Sequence, residues 1–109
     1  MKTRIAGLAL AAGLGWSIGA NAQDVAAAEG LLKKSGCMKC HSVSAKKEGP
    51  AFRETAAKYK GKPDAQAALF KHLTTNPKIK VDGKEELHDA LKTKNEAEVK
   101  NVVAYILSR

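Results

Sequence analysis

GCMKCHS, residues 36–42, decides how the rest of this sequence is read. It holds both cysteines of the chain, Cys37 and Cys40, and His41 follows at once. Three chemistries use a Cys-x-x-Cys pair. A structural zinc site needs further thiolates or a second closely spaced ligand pair, and neither Cys-x-x-Cys nor His-x-x-x-His recurs. A thioredoxin-type redox pair follows a strand in a βαβ setting, and the flanking sequence offers none. Attachment of a c-type haem needs only the adjacent histidine, which is there. On a helical turn, positions i, i+3 and i+4 share a face. The thiols of Cys37 and Cys40 can therefore meet the two vinyl groups of a haem while His41 reaches its iron. The motif points to one covalently attached haem c.

The residues around the motif set a size and a compartment. The chain begins MKTRIAGLALAAGLGWSIGANAQD, with Lys2 and Arg4 ahead of an apolar, Gly/Ala-rich run that ends near Ile18. Ala20-Asn21-Ala22 then supplies the small-x-small pattern of a signal-peptidase site. The run is shorter than the ~20 residues a membrane span needs, so residues 1–22 are expected to be a cleaved signal peptide, with no stable membrane span afterwards. Export predicts a periplasmic protein. The expected mature domain, residues 23–109, keeps all 11 acidic residues and all of the 19 Lys/Arg but Lys2 and Arg4, a net charge of +6. Such an excess suits acidic protein partners, and export argues against nucleic acid. So small a domain buries little apolar surface, and a covalently held porphyrin would supply the missing core.

Hydrophobic periodicity predicts one all-α domain. Asp24 can cap a helix over 24–34 in which Val25, Ala28, Leu31 and Leu32 share a face, with Gly36 able to end it. Pro50 and Gly61 bracket a second helix over 50–60. A third starts near Pro63-Asp64, presents Ala65, Ala68, Leu69 and Leu73, and stops before Asn76-Pro77. Asp82 with Glu85 has capping-box spacing, which predicts a short helix over KEELHDALK, residues 84–92. Val99, Val102, Val103 and Ile106 mark the last helix, over 95–108. No convincing alternating strand is found.

KKSGCMKCH, EGPAFRETAAKYKG, a middle helix and a closing EVKNVVAYILSR together resemble the small bacterial class I cytochromes c across essentially the whole of residues 23–109. The resemblance implies four to five helices wrapped around one haem, with electron transfer as the usual activity. It implies His41 as the proximal iron ligand, the Pro50 carbonyl as acceptor of its Nδ1 proton, and Tyr105 packed from the last helix against the first. Leu32 stands where many relatives have Phe.

One departure from that family matters most. Its members usually place a Met sulfur on the distal side of the iron, but the only methionines here are Met1 and Met38. Met1 leaves with the signal, and Met38 lies between the haem cysteines, directed away from the face they share. His88, in the region where relatives carry their Met, is the expected distal ligand; His72, at the border of an apolar helix face, is the alternative. Bis-histidine ligation would lower the reduction potential relative to a His/Met relative. Two strong protein ligands leave no open coordination position, which argues against an enzyme and for a one-electron carrier. A haem-based sensor whose distal His detaches to admit a diatomic gas, or a small haem subunit of a larger periplasmic oxidoreductase, are the alternatives.

Overall fold

A computed structural model describes residues 23–109; the expected signal peptide and its cleavage site after Ala22 lie outside the described residues. Helix α1, Val25–Lys34, starts at Asp24, whose carboxylate accepts from the Ala27 N–H at 3.0 Å. Lys33 and Lys34 in its last turn complement the helix dipole. Gly36, at φ +75°, then reverses the chain into a 3-10 turn, Cys37–Lys39. Helix α2, Phe52–Tyr59, and helix α3, Ala65–Thr74, follow. The last helix, α4, Glu96–Leu107, is capped by Asn95, whose side chain accepts from the Ala97 N–H at 2.9 Å.

Helix α4 organises the core because its apolar stripe meets all three other helices. Val99, Val102, Val103, Tyr105 and Ile106 are buried against Ala28 and Leu32 of α1, Phe52 of α2, Leu69 and Leu73 of α3, and Leu91. Leu32 and Val102 are almost completely enclosed, and burial of such a side chain stabilises by roughly 1.5–3 kcal/mol. Tyr105 packs against α1 as expected, its hydroxyl 3.3 Å from Glu29 Oε1. Its ring also stands edge-on to Phe52, with centroids 6.3 Å apart.

The start of α1 and the middle of α4 are joined in both directions. The Asp24 N–H donates to Asn101 Oδ1 at 2.7 Å, and Asn101 Nδ2 donates to the Asp24 carbonyl at 2.8 Å. Among the described residues, no helix is long and apolar enough to cross a membrane.

The expected helix over 84–92 does not form. Strands β1, Lys78–Val81, and β2, Lys84–Leu87, pair antiparallel instead, in the register Lys78↔Leu87 to Val81↔Lys84. Their two-residue connection is Asp82-Gly83, at φ +51° and +80°. Left-handed geometry at both central positions matches the right-handed twist of a hairpin, and Asp-Gly is among the few pairs that adopt it cheaply. Lys78-Ile79-Lys80-Val81 alternates with the period of a strand, and β-branched Ile79 and Val81 favour that state. The capping-box spacing was therefore a coincidence of a turn. Among the described residues the helical content is four α-helices, and the expected fifth is replaced by this hairpin.

Candidate haem site

The 3-10 turn and the loop after it bring Cys37, Cys40 and His41 together at the end of α1. The His41 N–H and the Cys40 N–H both donate to the Cys37 carbonyl, at 3.0 and 3.2 Å. Burial pushes the Cys37 thiol above its ordinary value. The Cys40 thiol is raised too, first by burial and then by Glu48, whose Oε2 lies 3.4 Å from its sulfur.

The His41 ring is fixed from two sides. Its Nδ1 lies 2.7 Å from the Pro50 carbonyl. A carbonyl can only accept, so Nδ1 carries the proton and Nε2 keeps the lone pair a metal requires. Phe52 stacks on the ring at 5.4 Å and 20°. The backbone at Gly49 comes so close that a Cβ there would stand 2.5 Å from His41 Cε1 and 2.8 Å from Nδ1. Only glycine leaves the ring its place. Spacing alone did not single out Gly49, although its position directly before Pro50 was a usable signal.

His88 faces His41 across the interior. It follows β2 directly and belongs to no helix, so its carrier is the base of a hairpin. The two ring centroids are 6.1 Å apart and tilted by 58°. Two imidazoles joined through one metal, each with a bond of ~2.0 Å, would have centroids roughly 6 Å apart. Burial, followed by the nearby His72 and His41, holds the His88 imidazole below its ordinary value, which favours the neutral, ligating form. Its Nδ1 is buried with no hydrogen-bond partner among the described residues.

His72, the alternative ligand, lies beside His88. It is half-buried with its ring 4.3 Å from that of His88, and burial lowers it as well. Cys37, Cys40, His41 and His88 are thus the residues that could hold a haem.

Residues 25–109 match the family model described as Cytochrome c. The chain belongs to the cytochrome c family. Its cofactor is accordingly one covalently attached haem c. Among curated cytochromes, it is 54% identical over 37 residues to cytochrome c-552 of Hydrogenobacter thermophilus, covering 34% of this chain and 38% of that one. Identity to cytochrome c-551 of Pseudomonas aeruginosa is 39% over 64 residues, or 59% of each protein. These matches therefore span less than two thirds of either relative's length. Cytochrome c-551 of Azotobacter vinelandii matches at 35% identity over 83 residues, covering 73% of this chain and 94% of that one. Among solved structures, the class 1 cytochrome MtoD from Sideroxydans lithotrophicus ES-1 superposes with a TM-score of 0.76 and 44% identity. It covers 80% of this chain and 97% of MtoD.

Proposed function

We propose that this cytochrome is an exported one-electron carrier with a bis-histidine haem. Residues 1–22 are the signal peptide, removed after Ala22, and residues 23–109 work in the periplasm. Cys37 and Cys40 form the thioethers, His41 is the proximal ligand and Pro50 holds its ring, while His88 supplies the distal nitrogen. The observation that carries this reading is the pair of imidazoles facing each other with centroids 6.1 Å apart, in a chain whose methionines cannot serve. When bound, the haem iron supplies a single-electron couple, and imidazole in place of thioether lowers its potential. The protein's share is to hold both rings in place and to keep their lone pairs free. No side chain has to act as acid, base or nucleophile.

A cleft beside the motif supports an acidic redox partner. Lys33, Lys34, Lys39 and Lys92 line it together with Gly36, Asn76 and Asp89, so it touches both the cysteine-bearing turn and the segment after His88. None of these lysines is in an ion pair among the described residues. Exposed, unpaired cations next to a buried redox centre steer anionic surfaces toward it.

Electronic and magnetic spectra of the ferric and ferrous holoprotein test the ligation. Six-coordinate, low-spin, bis-imidazole haem is expected in both states, and His88→Ala should abolish the low-spin signature. A wild-type spectrum in that variant would remove His88 from the iron. A high-spin ferrous state in the unaltered protein would favour a gas-binding role instead.

A further inference from the structure

We infer that the C-terminal end of α3 is a clamp on the distal ligand: Asn76 holds the backbone of His88 and His72 holds its ring. The inference rests on the bis-histidine reading and adds residues that sequence motifs do not assign. Asn76 follows the α3 C-cap at φ +50°, a left-handed conformation that asparagine tolerates better than most residues. From there its Nδ2 donates to the His88 carbonyl at 2.9 Å. The His88 N–H donates to the Pro77 carbonyl at 2.8 Å, so the peptide groups on both sides of His88 are tied to the two residues that leave α3. Downstream, the Leu91 N–H donates to the Leu73 carbonyl at 3.0 Å, and the Lys92 N–H to the buried Ser35 hydroxyl at 2.9 Å.

These ties matter because of what lies between them. The hairpin from Lys78 to Leu87 is bonded to itself and largely exposed, with Leu87 66% accessible. A ligand at the foot of such a ribbon would follow its motion unless it were fastened at the base. The Asn76 and Pro77 bonds close the excursion there and separate its movement from His88. The side chain itself, whose Nδ1 has no partner among the described residues, is restrained by contact with the His72 ring, tilted 52° to it at 4.3 Å. His72 lies in the last turn of α3 and Asn76 just past its C-cap, so the end of the helix and the residue that leaves it reach the imidazole and the carbonyl respectively.

The test is the rate at which CO combines with the ferrous holoprotein, since CO binds only when His88 has left the iron. Asn76→Gly keeps the positive φ but removes the amide; Asn76→Asp keeps the shape but removes the donor. His72→Ala removes the ring and His72→Phe restores its bulk. Loss of one hydrogen bond or one packed ring from the closed form should raise the CO rate roughly two- to tenfold in N76G, N76D and H72A. H72F should stay within about twofold of the unaltered protein, as packing alone requires.

Wild-type CO rates in both Asn76 variants, or in H72A, would overturn the clamp, as would H72F behaving like H72A. Using two variants at each position keeps the test decisive if one of them fails to fold. His88→Ala, measured in parallel, separates the two ideas. If it keeps the low-spin spectrum, the ligation reading falls; if it loses that spectrum while the clamp variants bind CO normally, only the clamp falls.

Discussion

At the scale of single residues, the site depends on where side chains are absent as much as on where they are present. Gly49 has no left-handed backbone to explain it; the constraint is the His41 imidazole lying where its Cβ would be. Gly49→Ala should therefore destabilise the holoprotein by about 1–3 kcal/mol, the usual cost of forcing an extra carbon into a packed space. It should also disturb the His41–Pro50 bond, shifting the haem absorption bands. Urea unfolding together with optical spectra measures both; a variant equal to the parent in each would show that the ring moves aside freely. The partly buried thiols make a second expectation at this scale. Both Cys37 and Cys40 are held above their ordinary value in the polypeptide, so less of the reactive thiolate forms at a given pH. Haem-free protein should be alkylated by iodoacetamide more slowly than a free thiol at pH 8.

At the scale of elements, the contact between α1 and α4 has its own pH dependence. Burial, reinforced by the Glu29 carboxylate, pushes the Tyr105 phenol above its ordinary value of 10.0. The folded state holds that proton more tightly than the unfolded chain does. Its contribution is intact below the unfolded value and is lost as pH rises through the raised one. Tyr105→Phe should cost about 0.5–1.5 kcal/mol at pH 7 for the lost hydrogen bond, yet lose less stability between pH 9 and 11. Denaturant titrations at those pH values check it, and parallel losses in both proteins would refute the assignment. All four helices were legible in the sequence because each has a periodic apolar face and a recognisable end: Asp24, Pro50, Gly61 and Asn95 stand where a cap or breaker is needed. The hairpin was not, because Asp82 with Glu85 satisfies a capping pattern while Asp82-Gly83 satisfies a turn, and only pairing with Lys78–Val81 decides between them. The haem was legible from one motif, and the family from that motif together with EGPAFRETAAKYKG and EVKNVVAYILSR; the relation of His72 to His88 depended on that missed turn and so was out of reach.

At the scale of the whole molecule, exposed lysines gather in the cleft beside the cysteine-bearing turn. Small anionic one-electron oxidants should react with the ferrous protein faster than cationic ones of equal driving force. The gap should narrow as ionic strength rises toward 1 M, where the screening length falls to ~3 Å. Charge reversal at Lys33 and Lys34 should shrink it severalfold at low salt. A gap indifferent to salt would show that the lysine cleft does not steer. The two-way bond between Asp24 and Asn101 bears on a different matter, the order in which the molecule can be assembled. Its two partners stand 77 positions apart in sequence, so the latch cannot form until the closing helix has docked on α1. In an exported chain that folds from the extended state, that order would leave Cys37 and Cys40 open to the porphyrin until the last helix closes.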